Sequence, residues 1–229
     1  HKVDQIICFT HGILARFLLA NLGLNTTLVC SERNSISMYK HTTQKKWNVN
    51  FMLLIFVKKI TVQFDAYKYD YPIWLRHKIF TVNNPIFYHL ESADLSSKNI
   101  LAVGRLATQK QYHILIEAFA LVAKDWPDWQ LKIIGEGHLK LELLDLIKTL
   151  KLDGSVMIIP PSKLVENHYQ TSSIFAISSQ WEGFPNALAE AMSFGMLGVG
   201  FDQTAGVSDL ISNGKNGIWC NTKCWLVTF

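Results

Sequence analysis

Glu182 and Glu190 flank the run Gly183-Phe184-Pro185-Asn186-Ala187-Leu188-Ala189, and carboxylates placed across a glycine–proline pair can do specific chemistry. Proline at the first position of a helix sacrifices no hydrogen bond, because the first amides of a helix lack an intrahelical partner. Gly183 frees the approach, and residues 186–192 (Asn-Ala-Leu-Ala-Glu-Ala-Met) continue in good helix formers. The exposed amides and dipole of such a start favour a phosphate. Asn186 and Glu190 lie one turn apart on one face, so Glu190 points towards whatever the terminus holds. Carboxylate oxygens accept sugar hydroxyls, so the segment suits a phosphorylated sugar. A capped helix with two surface glutamates is the plainer reading, and on this segment alone both stand.

Arg105 and Lys110 form a second set. They follow Gly104, which ends the apolar run Asn99-Ile-Leu-Ala-Val103. Ligands of open parallel sheets bind beyond the carboxyl ends of the strands. There an arginine fork and a lysine point charge can converge on a pyrophosphate, whereas alone the pair also reads as a solvated loop. Gly135-Glu-Gly137 is either a turn or a close approach of backbone to nucleotide, and it lacks the third glycine of a dinucleotide fingerprint. The chain has no Asp-x-Asp pair, P-loop or nucleophile elbow, so the corresponding metal-dependent, NTPase and hydrolase readings lose their clearest support.

These residues need elements to hold them. Strands are expected at 99–103, 129–134, 156–159, 174–178 and 197–201. Helices lie between them: Ile114, Leu115, Ala118, Phe119, Leu121 and Val122 form one stripe, and Leu139, Leu143, Leu146, Ile147 and Leu150 another. That alternation predicts a doubly wound parallel sheet. The first part repeats the rhythm, with strands at 5–9, 26–30, 60–64 and 78–82. Helices are expected at 12–22, 45–59 and, apart from Pro72, 65–77. Asn83-Asn-Pro85 is a turn signal and the expected boundary, giving domains at 1–86 and 87–229.

Composition limits the alternatives. Of 229 residues, 49% are hydrophobic and 17% charged, which describes a folded globular chain. A net charge of +4 suits phosphate-bearing ligands and is too small and scattered to argue for nucleic acid. Cys8, Cys30, Cys220 and Cys224 are few and dispersed, pointing to a reducing, cytoplasmic compartment. Cys220 and Cys224 lack a second pair to complete a metal site, so no metal and no cofactor is expected. The run Phe51 to Val57 is far short of the roughly 20 residues of a membrane span. Trp47, Phe51, Lys58 and Lys59 offer a peripheral contact with the inner face of a membrane, against the preferred reading of a buried helix with a basic end. Starting at His1, the sequence looks like a fragment.

Four motifs occur in order: Val103-Gly-Arg-Leu106 with Gln109-Lys110, Leu131-Lys-Ile-Ile-Gly-Glu-Gly137, Glu182 to Glu190, and Asn213-Gly-Lys-Asn-Gly217. Together they resemble the C-terminal half of retaining glycosyltransferases of family 4, with the GT-B fold of two Rossmann-like domains. The likeness is strong over 99–219 and weaker through residues 31–34, 62–65 and 82–86. It implies a nucleoside-diphosphate sugar donor, with UDP the expected nucleotide, and a glycan or lipid-linked acceptor. Arg105 and Lys110 would neutralise the pyrophosphate in place of a metal, Glu190 would hold the ribose hydroxyls, and Glu182 would face the transferred sugar. The implied donor-binding set is Gly104, Arg105, Lys110, Gly135, Gly137, Pro161, Glu182, Gly183, Phe184, Asn186, Ala187, Leu188 and Glu190, with Arg105, Lys110 and Glu182 catalytic. Thr10, His11, Glu32 and Arg33 are the acceptor-side candidates. Glu32 or Arg33 stands where such enzymes often carry a histidine, and His11 is the alternative.

The sequence departs from that pattern. Gln111 stands where glycine usually opens the helix, residues 196–198 (Met-Leu-Gly) replace a proline-containing segment, and Val207 replaces a proline. The N-terminal domain is shorter than the family's, and the closing helix gives way to residues 220–229. Rival readings are a non-catalytic nucleotide-sugar-binding remnant, an NAD(P) oxidoreductase, which fits poorly, and a UDP-sugar epimerase of the same fold. Sugar, linkage and oligomeric state are not legible.

Overall fold

Strand and helix alternate because short apolar runs alternate with stretches that carry a single apolar stripe. The computed structural model describes residues 3–24, 26–40, 49–87 and 91–220. The chain forms two units, His1–Pro85 with Glu182–Phe184, and Ile86–Trp181 with Pro185–Phe229.

In the first unit, β1 (Gln5–Phe9), β2 (Thr27–Ser31), β3 (Lys59–Val62) and β4 (Ile79–Thr81) make a parallel sheet in the order β1-β2-β3-β4. Cys8 pairs with Cys30, and Cys30 with Ile60. A 3-10 turn, His11–Ile13, leads into α1 (Leu14–Ala20); α2 (Val49–Met52) continues as the 3-10 turn Leu53–Phe56; Asp65–Asp70 and α3 (Ile73–Arg76) follow β3. Leu14, Phe51, Leu54 and Leu75 from these connections are fully buried with Cys8, Cys30 and Ile60. Ile7, Phe9 and Phe80, on the alternate strand positions, are half-exposed.

Two expectations for this unit change, and one alternative is excluded. The helix expected at 45–59 covers only Val49–Phe56 of the described residues, because Val57 turns to extended backbone and Lys59 begins β3. Residues 45–48, with Trp47, lie outside the described residues. Asp65–His77 is not one interrupted helix but a 3-10 segment and a single α-turn, since Tyr71 and Pro72 are extended. Phe51 cannot serve a membrane contact: it has no exposed surface, stacks on Tyr71 at 5.8 Å and meets His11 edge-on at 5.5 Å.

The second unit holds β5 (Asn99–Val103), β6 (Gln130–Ile134), β7 (Val156–Ile159), β8 (Ile174–Ile177), β9 (Leu197–Phe201) and β10 (Gly217–Cys220). They run parallel in the order β10-β9-β8-β5-β6-β7. Helices α4 (Tyr112–Val122) and α5 (Lys140–Thr149) pack with Ile100, Ala102, Leu131 and Ile133. Helices α6 (Val165–Gln170), α7 (Asn186–Ser193) and α8 (Val207–Leu210) pack with Leu101, Ile134, Phe175 and Ile177. Successive strand residues face opposite ways, so these two clusters are the two faces of one sheet. From β5 the chain steps outward through β6 and β7, returns to the other side of β5, and steps outward again through β8, β9 and β10. The direction reverses between β5 and β8.

Two details differ from the expected pattern. Strand β10 was not expected, and its short alternation (only Gly217 and Cys220 buried) leaves little periodic signal. It can form because a Cβ on Gly217 would come 2.0 Å from the Gly198 carbonyl oxygen, an approach only glycine permits. In α4, Leu121 is exposed, while Tyr112 and Ile116 fill the core in its place. Cys220 is buried in this core, and Cys224 lies outside the described residues.

Candidate functional site

Open α/β sheets bind ligands beyond the carboxyl ends of their strands where the strand order reverses, which here is between β5 and β8. The loop after β5 carries Gly104, Arg105 and Lys110. Arg105 is exposed and Lys110 half-buried. A Cβ on Gly104 would lie 2.9 Å from Lys110 Cε and 2.8 Å from the Tyr112 hydroxyl. The lysine chain therefore folds back over the glycine.

The neighbouring loops are laced to this one. Ser178 Oγ donates to the Lys110 carbonyl at 2.6 Å, and the Gln180 amide donates to the Gln109 carbonyl at 2.8 Å. Gln109 Nε2 donates to the Trp181 carbonyl at 2.7 Å, and Thr204 Oγ1 to the Ser179 carbonyl at 2.7 Å. Loops after β5, β8 and β9 are thus fixed to one another by main-chain acceptors, which gives the cationic loop a rigid backing. Gln111 completes the turn into α4 in the left-handed region, at φ 48° and ψ 39°.

Gly135 and Gly137 have a packing role that sequence spacing alone did not disclose. Neither has positive φ. A Cβ on Gly135 would fall 2.0 Å from the Gly104 carbonyl oxygen, and one on Gly137 2.3 Å from that of Leu106. The loop after β6 lies directly against the loop after β5, and the Leu106 amide donates to the Glu136 carbonyl at 2.9 Å. Pro161, past the end of β7, is exposed.

Helix α7 begins at Asn186, one residue later than the proline rule suggests. Pro185 caps it with φ −77° and ψ 76°, and its carbonyl accepts the first helical bond from the Ala189 amide at 3.1 Å. Asn186 is exposed and Ala187 half-buried. Leu188 is wholly buried, packing at the position of Gly198 in the core, so only its main chain is available to a ligand. Glu190 is half-buried, and its Oε2 accepts the Tyr169 hydroxyl at 3.0 Å. Burial, and then the Glu190 charge, push the Tyr169 phenol far above its ordinary range, so it remains a donor. Tyr169 was missed from sequence because an aromatic in α6 reads simply as core.

Glu182, Gly183 and Phe184 pack with the first unit. The Ser35 amide donates to the Glu182 carbonyl at 3.3 Å, Gly183 bridges antiparallel to Asn34, and the Tyr67 hydroxyl donates to the Gly183 carbonyl at 2.6 Å. Phe184 stacks on Phe64 with centroids 5.1 Å apart. Glu182 is 7% exposed.

The acceptor-side candidates sort into two kinds. Thr10 has φ 67°, rare for a β-branched residue, and its Oγ1 accepts the Gly12 amide. That turn aims both the amide and Nδ1 of His11 at Glu32 Oε1, each at 2.8 Å. His11 Nε2 meets the Tyr39 hydroxyl at 2.6 Å. His11 and Glu32 are buried, whereas Arg33 is exposed, 5.9 Å from the Phe9 ring centre. Burial and the Glu32 charge raise the Tyr39 phenol to about 12. Among the described residues no three His, Cys, Asp or Glu side chains gather as metal ligands, and no helix is long and apolar enough to cross a membrane.

Known proteins fit this architecture. The family model for glycosyl transferases group 1 matches residues 91–225. An uncharacterised glycosyltransferase of Haemophilus influenzae is 37% identical over 225 residues, 96% of this chain and 63% of its own length. The amylovoran biosynthesis glycosyltransferase AmsD of Erwinia amylovora is 29% identical over 93% of this chain and 62% of its own. The chain thus spans under two thirds of either relative. The crystal structure of a point mutant of Staphylococcus aureus TarM, in complex with fondaparinux, alpha-GlcNAc-glycerol and UDP, superposes with a TM-score of 0.83 at 20% identity, covering 97% of this chain and 47% of that one. That superposition, over two parallel α/β sheets, establishes the GT-B fold here. With the matched region covering more than half of its residues, this chain belongs to the group 1 glycosyltransferases.

Proposed function

We propose that the protein transfers a hexose from a UDP-linked donor to a glycan or lipid-linked acceptor with retention at the sugar carbon, as a family 4 enzyme working without metal. The observation that carries this reading is the laced cationic loop at the reversal between β5 and β8. Two supports stand beside it: TarM is described with UDP, and AmsD is named for biosynthesis of amylovoran.

In this mechanism Arg105 and Lys110 meet the pyrophosphate, and the amides at the start of α7 add their dipole. Glu190, steadied by Tyr169, accepts the ribose hydroxyls. Glu182 accepts hydroxyls of the transferred sugar. Breaking the bond from sugar carbon to phosphate oxygen leaves positive charge on the ring and negative charge on the departing diphosphate. Fixed cations stabilise that separation without reorganising. The departing phosphate then takes the proton of the acceptor hydroxyl as that oxygen forms the new bond to the sugar carbon on the same face, which retains its configuration. The work takes place in the cytoplasm, where nucleotide sugars are the substrate pool.

Calorimetric titration with UDP tests the reading. Lys110→Ala and Glu190→Ala should each weaken binding about tenfold or more, the scale of one charge-assisted hydrogen bond. Unchanged UDP affinity in both variants would reject it.

A further inference from the structure

We infer that Tyr67 and Phe64 are positioning residues for the sugar-facing carboxylate of Glu182, acting through the main chain of Gly183 and Phe184. The inference rests on the donor reading above and deepens it. The chain leaves the second unit after Trp181, contributes Glu182–Phe184 to the first, and returns at Pro185. Four contacts hold that tripeptide. The Tyr67 hydroxyl donates to the Gly183 carbonyl at 2.6 Å, a bond spanning 116 residues of sequence. Phe184 lies face to face on Phe64, 8° from parallel, and Phe64 meets the Tyr67 ring edge-on at 5.5 Å. The Ser35 amide holds the Glu182 carbonyl, and Gly183 pairs with Asn34.

The fit around Gly183 leaves no slack. A Cβ there would stand 2.0 Å from the Arg33 carbonyl oxygen and 2.6 Å from Gln63 Oε1. Backbone on one side and a buried amide on the other fix the main chain from which the Glu182 side chain projects. Gly183, Phe184 and Glu182 are all buried, as are Tyr67 and Phe64. By contrast, the supports described above for Lys110 and Glu190 come from the second unit. Loosening the tripeptide should therefore cost affinity for the sugar and leave affinity for UDP intact.

The test compares UDP with UDP-glucose, UDP-galactose and their N-acetylamino counterparts by calorimetry, taking the tightest sugar as probe. Tyr67→Phe removes one hydroxyl and keeps the ring. It should reduce affinity for the UDP-sugar about fivefold, the scale of one hydrogen bond, at unchanged UDP affinity. Phe64→Leu should act in the same direction, and Glu182→Ala should mark the full loss. A Tyr67→Phe protein that melts earlier but binds both ligands as wild type does would overturn the positioning role, as would equal losses for UDP and UDP-sugar. Wild type that binds no UDP at all would overturn the donor reading itself and this inference with it.

Discussion

Replacing Gln111 with glycine should make the second unit more stable. Gln111 joins Lys110 to α4 with φ 48° and ψ 39°, where a Cβ crowds the following carbonyl. That conformation costs an ordinary residue about 1–2 kcal/mol and glycine almost nothing. Against this, glycine has more chain entropy to lose on folding, about 0.4–1 kcal/mol. The bonds formed at this position are main-chain ones: the Gln111 amide donates to Thr108, and its carbonyl accepts from Ile114 at 3.0 Å. The side chain makes no capping bond, so glycine forfeits none. The net gain is about 0.5–1 kcal/mol, which for a domain of this size raises the melting temperature by about 2–3 °C. Differential scanning calorimetry should show that rise in Gln111→Gly and none in Gln111→Ala, which keeps the Cβ. A glycine variant no more stable than wild type, or an alanine variant that gains equally, would refute the strain argument.

Gly135→Ala and Gly137→Ala should each cost about 3 kcal/mol in urea unfolding, because the clashing partners are main-chain atoms of the loop after β5; a cost under about 1 kcal/mol would mean that these loops do not touch. Phe51→Ala should lose about 3–5 kcal/mol of first-unit stability, the usual cost of emptying a fully buried phenyl site. Alkaline pH should destabilise the first unit. The Tyr39 phenol titrates near 10 when unfolded and at about 12 when folded, so between those values the unfolded chain sheds a proton that the native one keeps. Stability present below pH 10 is therefore lost as pH rises towards 12. Tyr71, held higher still by burial, adds to the same slope. Melting temperatures measured from pH 9 to 12 should fall less steeply in Tyr39→Phe.

What could be read from sequence followed the strength of local signals. Continuous apolar runs such as Ile100–Ala102 and Ile133–Ile134 have one good solution, a buried parallel strand, and β5 and β6 form there. Where the signal was mixed the reading slipped. Leu121 matches the helical stripe but points outward, because Ile116 is better placed against the sheet. Gly217, the last residue of the Asn213–Gly217 motif, starts a strand that local sequence does not signal, since its role is set by Gly198, a residue 19 positions earlier. The same limit applied to Gly135 and Gly137, whose partners are other loops.

The Glu182–Glu190 segment shows the limit most clearly. Its residue types correctly announced a helix start with a carboxylate one turn in, because those features are local. Nothing in the nonapeptide could announce that its first three residues belong to the first unit, with Phe64 and Tyr67, while its last five belong to the second. Pro185 shows the consequence. A proline inside the first turn would have ψ near −40°, yet here ψ is 76°. That residue is where the chain redirects from one unit to the other, so the cap conformation answers to long-range packing and not to proline's preference for the first helical position. The two glutamates accordingly have independent supports, Glu182 through the first unit and Glu190 through Tyr169, and perturbing one support should leave the other carboxylate in place.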